Sequence, residues 1–166
     1  MSPGVLPLIL WVVPHGDPIS PLLKGIFIGT IGLLGTLIFV FFRLVERAGE
    51  KTDRAGAVLG YACSILATLF LFPFQAELGL AVLAVLAFGD GSATLFGKLC
   101  GGVKLPWNRE KSWVGLVAFI GVGGTAASII YWGETYFNPR SLDPNPGFAV
   151  AVACGMTAAI LAAFAE

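Results

Sequence analysis

Residues 88–119 read FGDGSATLFGKLCGGVKLPWNREKSWVGLVAF and join the end of one apolar block to the start of the next through a basic, glycine-rich loop. The flanking blocks cover about 77–97 and 113–133, and each is close to the roughly 20 residues that cross a bilayer's hydrocarbon core. A segment alone in lipid must satisfy its backbone hydrogen bonds internally, so both blocks are expected to be helices. In the second block Gly121 and Gly124 stand at helical spacing, which lets neighbouring helices approach closely.

Three further apolar blocks lie at about 21–42, 55–74 and 147–165, and a shorter one at 5–14 is a candidate sixth span. Of the 166 residues, 57% are hydrophobic and 12% charged, against roughly 45–50% and about 25% in ordinary soluble domains. The sequence thus predicts an all-α, polytopic transmembrane helix bundle with five or six spans. No linker divides the chain, so 1–166 is expected to be a single membrane-embedded domain. Its last block stops at a span boundary, which favours a domain that is incomplete at the C-terminus.

Charge is distributed unevenly, although the formal net charge is zero. A balanced charge gives no indication of a nucleic-acid partner. Eight of the ten lysines and arginines fall in two loops, at about 43–54 and 98–111, and loops rich in these residues normally face the cytoplasm. The expected location is therefore the inner or plasma membrane, with the 98–111 loop on the cytoplasmic side. The three cysteines show neither metal-binding nor disulfide-framework spacing.

Asp90 is the most informative polar residue in the apolar blocks. If its span starts near residue 77, Asp90 lies thirteen residues in, about 20 Å along the helix and roughly 10 Å below the cytoplasmic boundary. A carboxylate at that depth costs roughly 2.5–3.5 kcal/mol unless it is paired, metal-bound or in a wet cavity. A functional role is therefore expected for Asp90, and the alternative is a structural ion pair.

Asp90, Thr94 and Lys98 fall at i, i+4 and i+8, on one face of a helix. Gly97 and Gly101 continue a neighbouring face of small residues that leaves room for a ligand, so this segment is expected to form a pocket wall. A carboxylate suits Mg²⁺, which is held by one or two protein oxygens together with phosphate oxygens. Lysines supply point charges to phosphates, although anchoring near anionic headgroups is an alternative explanation for them. The lysines concerned are Lys98, Lys104 and Lys111.

Asn108 and Ser112 flank basic residues of the loop and admit two interpretations. Both residue types are preferred helix N-caps, and both can also hydrogen-bond to phosphate. Trp107 and Trp113 are expected to anchor the protein at the membrane interface, where aromatic residues are enriched.

One string of residues between 89 and 115 carries a family resemblance. It comprises Gly89, Asp90, Gly91, Ala93, Gly97, Lys98, Gly101, Lys104, Leu105, Pro106, Trp107, Asn108, Lys111, Ser112, Trp113 and Gly115. These residues resemble the membrane-embedded polyprenol kinase family, which includes phytol kinase, dolichol kinase and CTP-dependent diacylglycerol kinase. The family is distantly similar to the CDP-diacylglycerol synthases, and the likeness is closest to the phytol kinase branch.

The resemblance implies transfer of a phosphoryl group from a nucleoside triphosphate, usually CTP, to an isoprenoid alcohol such as phytol or a polyprenol, or to diacylglycerol. It implies that Asp90 holds Mg²⁺, that Asp90 and Lys98 are catalytic, and that catalysis rests on positioning and charge neutralisation. No general base is evident beyond Asp90. The nucleotide-binding residues implied are Gly89, Gly91, Thr94, Gly97, Lys104, Asn108, Lys111 and Ser112.

The expected partners are a nucleoside triphosphate, a lipid or isoprenoid alcohol and the membrane, with no nucleic acid; an oligomer is compatible with the sequence. The first alternative function is a phosphatidate cytidylyltransferase, a CDP-diacylglycerol synthase whose acidic C-terminal signature would lie beyond Glu166. The second is a non-catalytic transporter or structural bundle in which Asp90 is an ion or proton site. Transporters tend to show paired broken helices in two related halves, and this chain has no internal symmetry.

Overall fold

The protein is described by a computed structural model that covers residues 7–8, 20–41, 63, 66–68, 70–137 and 147–165. Across those ranges the regular structure is helical, and the only pairing between extended segments is an isolated bridge. The predicted all-α fold class is therefore confirmed for the described residues. The helical elements in chain order are α1 (Pro21–Val40), α2 (Ala76–Ala84), π1 (Val85–Gly89), α3 (Asp90–Leu99), α4 (Trp113–Ala118), π2 (Phe119–Gly123), α5 (Gly124–Phe137) and α6 (Phe148–Ala165).

Two long helices organise the fold, because α2, π1 and α3 follow one another without a break, as do α4, π2 and α5. Among the described residues, they contain the two segments that are long and apolar enough to cross a bilayer, Glu77–Leu99 with 23 residues and Trp113–Phe137 with 25. The apolar helices within α1 and α6 are shorter. The expected spans at 55–74 and 5–14 lie largely outside the described residues, so the number of five or six spans stays a prediction.

Serine residues determine where two of the helices begin. The Ser20 hydroxyl accepts the backbone N–H of Leu23 at 3.3 Å, and a proline occupies the first turn of α1, where its missing N–H is tolerated. Ser112 caps α4 in the same way by accepting the N–H of Gly115 at 3.2 Å. Each serine thus satisfies a backbone donor that has no partner within its own helix.

The two long helices contact each other backbone to backbone where π1 meets π2. A Cβ atom built on Gly123 would lie only 2.9 Å from the Cα atom of Gly89, closer than real Cβ atoms come to their neighbours. The ring of Phe119 also packs on Gly89, 3.1 Å from where a Cβ would stand. The Ser92 hydroxyl, which donates to the carbonyls of Gly89 at 2.8 Å and Ala118 at 3.1 Å, ties the helices together. No residue larger than glycine fits at 123 without moving a helix.

The glycines that make close contacts differ in part from those expected. Gly124 packs against Met156 of α6, as its spacing predicts. Among the described residues no atom lies within 4 Å of a Cβ built on Gly121, and Gly121 is exposed, so this part of the structure does not show the close approach predicted there. Gly123 makes the contact instead, because it stands four positions after Phe119 and shares the face that meets π1, whereas Gly121 lies on the opposite face.

Small residues also bring α6 against α5. A Cβ on Gly124 would lie 2.6 Å from the sulfur of Met156, and one on Gly155 would overlap the Ser128 side chain and lie 2.7 Å from its backbone nitrogen. The Ser128 hydroxyl donates to the Gly124 carbonyl at 2.7 Å, which keeps its side chain against its own helix. This close packing brings the C-terminal end of α6 near the start of α4. The buried apolar core includes Leu80, Leu83, Ala84, Phe119, Ala127, Ile130 and Ala159.

Candidate functional site

A cleft of about 490 Å³ opens at the end of the bundle where α3 ends and α4 begins. Residues of α3, α4, π2 and the C-terminal end of α6 line it, together with the connection between α3 and α4. The lining residues are Asp90, Ala93, Thr94, Gly97, Lys98, Lys104, Leu105, Glu110, Lys111, Ser112, Gly115, Leu116, Phe119 and Ala163.

One wall of the cleft is the face of α3 that carries Asp90, Thr94 and Lys98. Their spacing places them on successive turns of one helix face, as the sequence predicts. Asp90 is the first residue after π1, and its side chain is exposed rather than buried between helices. The carboxylate that the sequence places inside an apolar segment therefore opens into a cleft, one of the settings in which such a charge is tolerated.

The connection between α3 and α4 folds back as a small hairpin and forms a second wall. Two glycines at 101–102 open it with φ angles of 62° and 104°, a left-handed backbone that favours glycine. The N–H of Leu105 then donates to the Lys111 carbonyl at 2.9 Å, and the N–H of Trp113 donates to the Val103 carbonyl at 3.1 Å. The glycine-rich loop is thus a hydrogen-bonded turn that holds basic residues beside α3.

Asn108 stabilises the tip of this hairpin. Its side-chain oxygen accepts the N–H of Glu110 at 3.1 Å, and its backbone carbonyl accepts the N–H of Lys111 at 3.1 Å. Asn108 does not line the cleft, whereas Ser112 does. Of these two residues, Ser112 is the cap of α4. Nucleotide binding by Asn108 and by Ser112 stays a prediction.

Three lysines reach the cleft from two elements of the fold. Lys98 comes from the last turn of α3, and Lys104 and Lys111 come from the hairpin. The Lys104 ammonium donates to the backbone carbonyl of Glu110 at 3.4 Å, a hydrogen bond across the hairpin. The structure thus brings the three lysines named from the sequence into one cleft with Asp90, while their chemical roles stay predictions.

The cleft lacks two residues that the sequence predicts for it and contains two that the sequence does not predict. Gly89 and Gly91 do not line it, and Gly89 instead lies against the Phe119 ring at the helix crossing. Glu110 and Ala163 do line it. Glu110 has a signal in the sequence, a carboxylate inside a basic loop. Ala163 has none, because it is one of many small apolar residues in a distant helix.

The chain is 32% identical over 100 residues to a probable phytol kinase 1, chloroplastic, of Oryza sativa subsp. japonica, an alignment that covers 60% of this chain and 32% of that protein. It is 28% identical over 141 residues to a probable phytol kinase, chloroplastic, of Triticum aestivum, covering 84% and 47% respectively. A farnesol kinase, chloroplastic, of Arabidopsis thaliana is 28% identical over 120 residues, covering 70% and 39%. The chain is related to the isoprenoid alcohol kinases.

This kinase relationship confirms the resemblance carried by the residues between 89 and 115. The aligned chain spans less than half the length of the three kinases named above. No family model matches the sequence. No solved structure matches it either.

The donors of the cleft fit Mg²⁺, the ion that the resemblance to these kinases implies. Mg²⁺ takes one or two carboxylates together with substrate phosphates and usually keeps several waters. Asp90 offers one exposed carboxylate to the cleft, and Glu110 lines the same cleft. Within the described residues there is no group of three or more His, Cys, Asp or Glu suited to a metal ion. The donor set therefore suits a site completed by phosphate oxygens better than an all-protein cage.

Ser112→Ala is expected to lower the free energy of unfolding by about 1 kcal/mol, because it removes the hydroxyl that caps α4. Ser112 is only 4% exposed, so water cannot readily replace the lost acceptor. Thermal unfolding in detergent micelles measures the loss. Ser20→Ala, which removes the exposed cap of α1, is the matched control and is expected to cost less. A smaller loss at Ser112 than at Ser20 would contradict this account.

Proposed function

We propose that this protein transfers the γ-phosphoryl group of CTP to the hydroxyl of an isoprenoid alcohol such as phytol or a polyprenol. The bond between the γ-phosphorus and its bridging oxygen breaks and CDP leaves, while the alcohol oxygen bonds to the phosphorus and gives up its proton to water. The observation that carries the proposal is the cleft, in which an exposed carboxylate and three lysines stand beside apolar lining residues. A charged nucleotide and an apolar alcohol require such surfaces side by side. The names of the relatives, phytol and farnesol kinases, support the choice of acceptor. The choice of CTP rests on the motif resemblance.

The lysines would supply the positive charge that the triphosphate requires. Lys98 stands on α3, while Lys104 and Lys111 stand on the hairpin, so phosphate oxygens bound between these elements would meet positive charge from both. Lysine ammonium groups act as point charges on phosphates, and phosphoryl transfer is accelerated mainly by positioning and charge neutralisation. Because backbone hydrogen bonds hold the hairpin, little reorganisation of these charges would accompany the transfer.

Asp90 would hold Mg²⁺ together with the nucleotide's phosphate oxygens, and the bound ion would neutralise negative charge on the phosphoryl group. The contact between Gly89 and Gly123 holds the backbone on which the Asp90 carboxylate stands. Thr94, one turn further along α3, places a neutral hydroxyl on the same wall. The chain's contribution to catalysis is therefore orientation and charge, without a covalent intermediate.

We further infer a membrane location with the cleft on the cytoplasmic side. The segments Glu77–Leu99 and Trp113–Phe137 have the length and apolarity that a bilayer requires. The basic hairpin lies at the end of both segments, and lysine and arginine are enriched on the cytoplasmic side of membranes. The names of the relatives describe those proteins as chloroplastic. For this chain we propose the inner or plasma membrane.

Radiolabel transfer tests the proposed activity. Membranes that contain the protein are incubated with Mg²⁺ and either γ-labelled CTP or γ-labelled ATP, with phytol, farnesol, a polyprenol or diacylglycerol as acceptor. The expected result is a phosphorylated isoprenoid alcohol, formed faster from CTP, with membranes lacking the protein as the control. Folded protein that labels none of the acceptors would overturn the proposal. Formation of CDP-diacylglycerol from α-labelled CTP and phosphatidate would then assign the cleft to a cytidylyltransferase.

A further inference from the structure

An exposed aromatic surface borders the cleft, and phosphate binding does not explain it. It consists of Trp107, Trp113 and Phe164, which are 51%, 44% and 60% exposed. The ring centroids of Trp107 and Trp113 are 5.7 Å apart with planes at 79°, and those of Trp107 and Phe164 are 6.0 Å apart at 32°. These three residues, here termed the aromatic ledge, come from the hairpin, the start of α4 and the end of α6. Two distant parts of the chain, the segment from Trp107 to Trp113 and the end of α6, therefore build one apolar surface.

The aromatic ledge stands next to residues of the cleft wall. Ser112, directly before Trp113, and Ala163, directly before Phe164, both line the cleft. Leu116 of α4 adds a second apolar side chain to that lining. The two helices that carry Trp113 and Phe164 therefore also give apolar lining residues to the cleft that holds the carboxylate and the lysines.

We propose that the aromatic ledge binds the isoprenoid chain of the acceptor alcohol while the hydroxyl at the end of that chain reaches the charged wall of the cleft. This inference rests on the proposed function, because it assigns the chain-binding part of the same site. Hydrophobic free energy grows with the apolar area removed from water, so a surface that extends beyond the cleft favours long chains over short ones. An isoprenoid chain can lie along all three aromatic rings, whereas a nucleobase, which stacks on a single ring, would leave most of this surface uncovered.

Interfacial anchoring is the ordinary explanation for exposed tryptophans, and the chain offers an internal comparison. At the opposite end of α6, Phe148 packs edge-on against Trp132 with ring centroids 5.6 Å apart and is 55% exposed. Neither Phe148, nor Trp132, nor any residue next to them in sequence lines the cleft, whereas Ala163, next to Phe164, does. Anchoring predicts similar behaviour for Phe148 and Phe164, whereas chain binding predicts that only Phe164 affects the acceptor.

The test compares Phe164→Ala and Trp107→Ala with the control Phe148→Ala, using acceptors of increasing length. Transfer is measured to phytol, to farnesol and to an alcohol with a single isoprene unit. The ledge variants are expected to raise the KM for phytol about tenfold, with kcat and the KM for the shortest alcohol little changed. Phe148→Ala is expected to leave all of these values unchanged. Equal changes in KM for long and short alcohols, or no change for any of them, would overturn the proposal.

A photoreactive farnesol analogue gives a second test that requires no transfer. Labelling of peptides that contain Trp107 or Phe164, prevented by excess phytol, would support the aromatic ledge as the chain site. Labelling confined to other peptides, or competition by diacylglycerol but not by phytol, would overturn it. A labelled ledge without transfer to any alcohol would refute the proposed kinase and retain the chain site. Transfer to an alcohol that the ledge variants leave unchanged would refute the chain site and retain the proposed kinase.

Discussion

Asp90→Asn is expected to lower kcat for phosphoryl transfer by roughly 10²–10³-fold, the size of effect that follows removal of one charge-stabilising group from an active site. Asparagine keeps the shape of the side chain but removes the negative charge that would hold Mg²⁺. Because Asp90 is exposed to the cleft rather than packed between helices, the unfolding temperature is expected to change little. Rates at saturating CTP over a series of Mg²⁺ concentrations measure the effect.

Glu110→Gln is the matched control for this prediction. It removes the same charge from the same cleft through the same change of carboxylate to amide. A much smaller loss of kcat is expected, because Glu110 stands on the hairpin among the lysines rather than on the α3 face with Asp90. Equal losses in the two variants would assign the effect to the net charge of the cleft. Full activity of Asp90→Asn would remove Asp90 from the mechanism.

Gly123→Ala is expected to lower the free energy of unfolding by about 1–3 kcal/mol, the usual range for overpacking a close contact. Its methyl group would stand 2.9 Å from the Cα atom of Gly89, and a backbone atom cannot move aside as the end of a side chain can. The two long helices must therefore separate or rotate. Since Asp90 directly follows Gly89, activity is expected to fall together with stability. Thermal unfolding in detergent and label transfer measure the two effects.

Gly121→Ala is the control for the contact between the helices. Gly121 belongs to the same π2 segment, but no atom lies within 4 Å of a Cβ built there. Alanine has the better helix propensity, so this variant is expected to be as stable as the parent protein or slightly more stable. Similar losses of stability in the two variants would mean that the backbone conformation of π2, rather than its contact with π1, requires glycine.

The polar wall of the cleft could be predicted because its spacing depends only on regular helix geometry. Asp90, Thr94 and Lys98 lie within one helix, and residues at i, i+4 and i+8 of a helix share a face whatever surrounds them. The fold class could be predicted for a similar reason, since apolar blocks of that length favour helices. Lys104 and Lys111 are predicted as phosphate ligands because they lie in the basic loop that follows this helix face, and the structure brings both into the cleft.

The remaining features depend on information that local spacing does not contain. The contact is made through Gly123 rather than Gly121 because of which helix face meets π1, and the spacing of small residues alone does not specify that face. The hairpin depends on hydrogen bonds between residues six and ten positions apart, in a segment without an alternating strand pattern. Ala163 reaches the cleft, and Phe164 reaches the ring of Trp107, only because α6 packs closely along α5, a contact between distant parts of the chain.

The length of the two long helices also bears on how they would cross a bilayer. Their apolar segments, Glu77–Leu99 with 23 residues and Trp113–Phe137 with 25, correspond to roughly 35 Å or more at 1.5 Å per residue. An average hydrocarbon core is roughly 30 Å thick. A hydrophobic helix longer than the core is accommodated by tilting, so in the proposed orientation the two long helices would cross the membrane at an angle to its normal.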